Sequence, residues 1–240
     1  MKLRRADGPP LVIGHRGAAA VAPENTLAAL QAAVDAGADL VEFDIGPDLR
    51  LGHSAQELPT EHVSLDTALE FLRGHRLGIH VDVKLPGYEL AVVDAIRRHG
   101  MEDRGVVSTA FAVTSRRLSR LAPALPRAIG YPRDRYVVSR LRWPAGVSRA
   151  GAAALRQAMP VRIPLLLRVA RANVLSLHHT LCSRAAVRAA HALGAPVLGW
   201  TANDPQTVLR LAEAGVDAIV SDDPGMALEV LEALATLRRQ

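Results

Sequence analysis

Short apolar, β-rich runs alternate with helix-forming stretches along almost the whole chain, and this alternation limits the folds open to it. The runs cover 11–14, 40–45, 77–84, 105–108, 127–131, 173–178, 196–200 and 218–221. Helical patterns cover 25–35, 65–73, 88–99, 113–120, 148–171, 183–193, 205–214 and 225–238. Runs that are apolar on both faces, each followed by a helix, belong in a parallel sheet with both faces covered. Eight such pairs, with no Gly-x-Gly-x-x-Gly after the first run, favour a closed (β/α)8 barrel, the TIM fold, over an open dinucleotide-binding sheet. The chain has 240 residues, about half of them apolar. That suffices for one barrel domain spanning 1–240.

Local signals set the element ends. Pro23 and Asn25 mark the start of the first helix, and Gly37 follows its end. Gly100 and Gly194 close the third and sixth helices. Asp204-Pro205 opens the seventh, with Asp as N-cap and Pro at the first helical position, and Gly215 ends it. The stretch 132–172 is less regular. Pro144, Pro160 and Pro164 interrupt a long helical pattern there, and two shorter helices are expected.

The formal charge of +5 reflects arginines spread over helix faces. The basic residues form no long block with interleaved aromatics, so no nucleic-acid partner is expected. Cys182 is the sole cysteine, which excludes an intrachain disulfide framework and leaves it a structural role. No secretion-signal pattern opens the chain, and no uncharged apolar run approaches the roughly 20 residues that span a bilayer. A cytoplasmic protein without a transmembrane segment is the default expectation.

In a parallel α/β fold the reactive groups gather where strands end. The first strand delivers His15 and Arg16, the second Glu42 and Asp44, and the loop after it His53. The third delivers His80, Asp82 and Lys84, the sixth His178 and His179, and the seventh Trp200, Thr201 and Asn203. Glu42 and Asp44 are two apart, so they share one face of their strand, and Asp82 and Lys84 do the same. Three converging carboxylates repel one another unless something positive sits between them, and a hard divalent cation with oxygen ligands is the usual solution. Arg16 and Lys84 beside it suit an anionic substrate, phosphate above all. His15 and His53 titrate near neutral pH and can pass protons. His80 is assigned to the face opposite Asp82 and Lys84, in a structural role. His75, His99 and His191 are read as surface helix positions, and His178 admits either reading.

These motifs also carry a family resemblance. Ile13-Gly14-His15-Arg16-Gly17, Ala22-Pro23-Glu24-Asn25-Thr26 and Gly37-Ala38-Asp39-Leu40-Val41-Glu42-Phe43-Asp44 resemble the opening of the glycerophosphodiester phosphodiesterases. Gly52-His53 and Ser64-Leu65-Asp66-Thr67-Ala68-Leu69 continue the likeness. Gly199-Trp200-Thr201-Ala202-Asn203-Asp204 and the run from Gly215 to Pro224 (GVDAIVSDDP) complete it near the end. The resemblance implies a TIM barrel that hydrolyses small-molecule glycerophosphodiesters to an alcohol and glycerol 3-phosphate with one divalent metal ion, Mg²⁺ or Ca²⁺. It implies His15 and His53 as the acid/base pair, Glu42, Asp44 and Asp82 as metal ligands, and Arg16 and Lys84 as phosphate contacts. Glu24 and Asn25 then brace the loop after the first strand, and Trp200 forms the wall beside the glycerol.

The chain departs from the family pattern at three points. Ser54 follows His53 where the family has Asp. Asp82 stands in place of the Glu of Glu-x-Lys. His53 lies only a short way before Ser64, so little or no insertion subdomain follows the second strand, and a more open mouth is expected. Asp82 and the reduced insertion lean towards an alternative on the same scaffold, a lysophospholipase D or sphingomyelinase D type of phosphodiesterase. A catalytically weak barrel that only binds phosphodiesters is the other alternative, opposed by the presence of both histidines and all three carboxylates.

Overall fold

The computed structural model describes residues 3, 8–52, 63–132 and 145–239, and of 145–150 the backbone alone. Among these residues there are eight strands: β1 (Leu11–Gly14), β2 (Leu40–Ile45), β3 (Gly78–Val83), β4 (Gly105–Thr109), β5 (Arg127–Tyr131), β6 (Val174–His178), β7 (Val197–Trp200) and β8 (Ala218–Ser221). The helices are α1 (Leu27–Asp35), α2 (Leu65–Arg73), α3 (Glu89–Arg98), α4 (Ala112–Leu121), α5 (Ala145–Ala170), α6 (Arg184–His191), α7 (Pro205–Ala214) and α8 (Pro224–Leu237). The strands pair in sequence order, all parallel, and β8 pairs with β1 to close the barrel. This is the TIM barrel expected from the alternation.

In the closed barrel the period-two pleat of each strand sends alternate side chains outward and inward. Outward residues such as Val41, Phe43 and Ile45 on β2 meet α1 to α4 in one buried cluster. Those of β5 to β8 meet α5 to α8 in a second. Inward residues Leu11, Leu40, Val106, Val174, Leu198 and Ala218, with Leu3 against them, fill the lower part of the barrel. The lumen is therefore packed low down and polar only near the carboxyl ends of the strands.

The capping signals act as their chemistry dictates. Asp204 accepts from the Thr207 amide, Pro205 takes the first position of α7, and Gly215 ends it at φ 85°, in the left-handed region. The first helix starts slightly later than its sequence pattern. Thr26 is the N-cap, accepting from Ala29, while Asn25 sits outside at φ 58°.

One expectation is overturned. The 148–171 pattern does not break into two helices: α5 runs unbroken from Ala145 to Ala170 with Pro160 and Pro164 inside it. Each proline removes a backbone donor and crowds the preceding turn. The helix persists because Met159, Ile163, Leu167 and Ala170 form a buried stripe against the barrel. Tertiary burial outweighs the local penalty.

Candidate active site

At the carboxyl ends of the strands the inward positions turn polar and line a cavity of about 620 Å³. Glu42 and Asp44 reach it from β2, and His80, Asp82 and Lys84 from β3 and its end. The expectation that His80 faces away from Asp82 and Lys84 is therefore overturned. Positions 80, 82 and 84 share one parity, so the pleat points all three inward.

His15 and Arg16 leave β1 in a tight turn. A side chain at Gly14 would overlap the Gly17 carbonyl, and Gly17, at φ 91°, lies against the Ala29 backbone, so both positions require glycine. The turn is pinned by the His15 amide donating to the Ser221 carbonyl (2.8 Å) and the Gly17 amide to the Glu42 carbonyl (2.9 Å). Arg16, at φ 49°, donates its own amide to Glu42 Oε2 at 2.8 Å. Asn25 is buried and ties this loop to β2. Its Nδ2 donates to Asp44 Oδ2 (3.2 Å), its Oδ1 accepts the Asp44 amide (3.0 Å), and its amide donates to the Arg16 carbonyl (3.0 Å). Glu24 holds Arg16 Nη1 at 2.6 Å.

Glu42, Asp44 and Asp82 each place one oxygen within 4.8 Å of the others. Lys84 Nζ bridges Asp44 Oδ1 and Asp82 Oδ2, at 2.6 Å from each, and Arg16 Nε is 3.2 Å from Asp44 Oδ2. Burial works against the charge of Asp44, but Lys84 and Arg16 outweigh it and hold its carboxyl below the usual range. Burial, and then the charge of Asp44, push the Glu42 carboxyl up to about 8. The ammonium of Lys84 is held above its ordinary value, since the charges of Asp82 and Asp44 outweigh its burial. In the metal-free cluster Lys84 and Arg16 offset the charges of Asp44 and Asp82, and the crowding of the third carboxylate is met by the proton that Glu42 retains. Three hard oxygen donors converging in this way fit a divalent cation.

His15 faces the same cluster. Its Nδ1 lies 2.5 Å from Asp222 Oδ1, and its Nε2 is 3.9 Å from Glu42 Oε2. Burial lowers its proton affinity, but the Asp222 hydrogen bond and the Glu42 charge outweigh that and raise it above the ordinary value. Asn203 donates its side-chain amide to Asp222 Oδ2, and its Oδ1 accepts the Asp222 amide at 3.0 Å.

The opposite wall of the cavity is less charged. Trp200 and His178 line it, with their rings edge to face at a centroid distance of 5.0 Å. His178 Nδ1 is engaged by Thr180 Oγ1 at 2.8 Å. His179 turns from the cavity to Arg210, whose Nη2 is 3.0 Å from its Nδ1. His99 and His191, read from the sequence as surface positions, are instead partly buried and held by carboxylates away from the mouth, His99 by Asp66 and Glu70 and His191 by Asp217. Cys182 is buried, and burial pushes its thiol up to about 12.

Of the residues singled out in the sequence, His15, Arg16, Glu42, Asp44, Asp82, Lys84 and Trp200 line one cavity, with Glu24 and Asn25 behind Arg16. His53 and Ser54 lie outside the described residues, as does most of the short connection in which an open mouth was expected. Sequence reasoning assigned no role to Asp222 or Ser108. Asp222 sits in the Ser-Asp-Asp-Pro run after β8, two residues past the inward Val220, so its parity was a usable signal.

Fold and site together define a TIM-barrel enzyme with its charged groups at the carboxyl ends of the strands. The chain belongs to the glycerophosphoryl diester phosphodiesterase family, whose model matches residues 15–46 and 88–226, and is thereby a phosphoric diester hydrolase. It is 24% identical over 255 residues to a glycerophosphodiester phosphodiesterase of Caldanaerobacter subterraneus, covering 89% of this chain and 94% of that one. It is 25% identical over 267 residues to the uncharacterised YqiK of Bacillus subtilis, covering 92% and 98%. Among solved structures, a glycerophosphodiester phosphodiesterase of Parabacteroides distasonis superposes with TM-score 0.74 at 17% identity, over 96% and 100% of the two chains. An Oleispira antarctica phosphodiesterase, solved with its product sn-glycerol-3-phosphate, gives TM-score 0.72 at 21% identity, over 93% and 97%. At these identities the structures share the fold. Among the described residues, no helix is long and apolar enough to cross a membrane.

Proposed function

We propose that the chain hydrolyses glycerophosphodiesters to an alcohol and glycerol 3-phosphate, with one divalent cation, Mg²⁺ or Ca²⁺, held by Glu42, Asp44 and Asp82. The observation that carries this reading is the convergence of those three carboxylates beside Arg16, Lys84 and His15. Such a cation supplies positive charge to the phosphoryl oxygens when bound.

The protein groups divide the remaining work. Lys84 and Arg16 meet the phosphate with fixed cationic charge that needs no rearrangement as negative charge builds. The Arg16 guanidinium is oriented by Glu24 and Asp44. His15 moves a proton at Nε2, because Asp222 occupies Nδ1 and accepts its hydrogen. His53 is assigned as the second proton-transfer group, on the motif alone. Trp200 offers its ring to the glycerol side of the substrate.

The test is product release from glycerophosphocholine and from lysophosphatidylcholine, with and without chelator. Glycerol 3-phosphate formed from the first substrate and abolished by chelation is the expected result. Full activity after exhaustive chelation, or turnover of lysophosphatidylcholine alone, overturns the reading.

A further inference from the structure

We propose that His80 and Ser108 act as a positioning pair for Asp82, fixing the direction in which its carboxylate faces the cation site. The proposal rests on the reading of Asp82 as a metal ligand.

Three groups on two adjacent strands form a line. Asp82 on β3 is in register with Ser108 on β4. Ser108 Oγ lies 2.5 Å from Asp82 Oδ1 and 2.8 Å from His80 Nε2. His80 and Ser108 are both buried, at 3% and 4% exposure, which leaves little of either side chain open to water where they border the cavity.

The direction of the line follows from counting hydrogens. A serine hydroxyl has one hydrogen, and an ionised carboxylate only accepts. Asp82 is ionised, because Lys84 Nζ sits 2.6 Å from its Oδ2. The hydroxyl hydrogen therefore goes to Asp82, and His80 must donate from Nε2 to Ser108. Among the described residues, His80 Nδ1 is buried with no partner. A bare lone pair is tolerable there, whereas a second N–H would make an unpaired buried cation. The geometry thus selects the neutral Nε2–H tautomer.

Both oxygens of Asp82 then have a fixed donor, Ser108 on Oδ1 and Lys84 on Oδ2, which stops rotation of the carboxylate. Among the described residues, without Ser108 only Lys84 holds it, and Lys84 is shared with Asp44. Hydrogen bonds of this kind behind a ligand orient it and typically change metal affinity 10- to 100-fold when removed. Among the described residues, the hydrogen-bond route from His80 to Asp82 runs through Ser108, so its positioning of the carboxylate passes through that hydroxyl.

Two measurements test this. In the metal-free wild-type chain, ¹⁵N-detected NMR of the histidine rings at pH 7 should show His80 protonated at Nε2 only. An Nδ1–H tautomer or an imidazolium overturns the proposal. Calorimetric Mg²⁺ and Ca²⁺ titrations then compare wild type, Ser108→Ala, His80→Leu, His80→Gln and the Ser108→Ala/His80→Leu double variant, each checked for native circular dichroism. Ser108→Ala should bind about tenfold or more weakly. His80→Gln, which keeps a donor near the Nε2 position, should stay within about threefold of wild type. The double variant should be no worse than Ser108→Ala. Unchanged affinity in Ser108→Ala, or a further loss in the double variant, overturns the proposal alone. A wild-type chain that binds neither cation overturns the metal reading together with it.

Discussion

Nδ1 of His15 and Oδ1 of Asp222 lie 2.5 Å apart, although 207 positions separate the two residues in the chain. Asp222 is held in turn by Asn203, so the histidine at the end of β1 is oriented by groups that follow β7 and β8. Replacing Asp222 by Asn should lower turnover about 10-fold or more with the fold intact, since the imidazole loses the charge that favours its protonated form and Asn203 loses the oxygen that its amide donates to. A steady-state comparison at saturating substrate checks this.

The same contact sets a pH dependence. His15 titrates above its ordinary value in the folded chain, so its contact with Asp222 stabilises the fold fully below about 6.5, and that contribution is lost as pH rises through the raised value. In the metal-free chain an NMR titration should place His15 above 6.5, and Asp222→Asn should move it down. An unchanged midpoint in the variant contradicts the assignment.

His15→Ala and His53→Ala should each reduce turnover by about 10² to 10⁴-fold, with folding and metal binding retained. An activated leaving group such as p-nitrophenol needs little protonation. One of the two variants should recover much of its rate on such an ester and the other should not, which separates acid from base. Near-native turnover of His53→Ala on a glycerophosphodiester would transfer its role elsewhere, and His178, on the cavity wall, is the first residue to try.

Asp82→Asn should weaken cation binding. Affinity should also fall as pH drops below about 8, because Glu42 is then protonated in the metal-free chain and the cation must displace that proton. Calorimetry in buffers of different ionisation enthalpy reads the proton release directly. Affinity that does not change between pH 6 and 8 would exclude Glu42 as a titrating ligand.

Cys182 should resist alkylation at pH 8 in the native chain and react only on unfolding, since its buried thiol is pushed up to about 12. Mass spectrometry after iodoacetamide treatment, with and without denaturant, distinguishes the two states.

Pro164→Ala should raise stability by about 1–3 kcal/mol. The side chain is exposed in the interior of α5, and alanine restores a backbone donor at a modest cost from the freer unfolded chain. Thermal denaturation measures it.

The alternation of strands and helices, the N-caps such as Asp204, and the shared face of Glu42 and Asp44 were legible in the sequence. Each is local: the period is 2 for a strand and 3.6 for a helix, and a cap needs only a side-chain oxygen within reach of an amide three residues on. The same rule applied correctly to His80 would have placed it beside Asp82. Other features could not be read locally. Barrel closure sets β8 against β1, and only that pairing brings Asp222 to His15. The register of β3 on β4 sets Ser108 beside Asp82. The unbroken α5 depends on a stripe whose value lies in the surface it covers, and that surface exists only once the barrel has formed. Local periodicity determines which way a side chain points, whereas the partner it meets is decided by strands distant in sequence, and so by the tertiary structure.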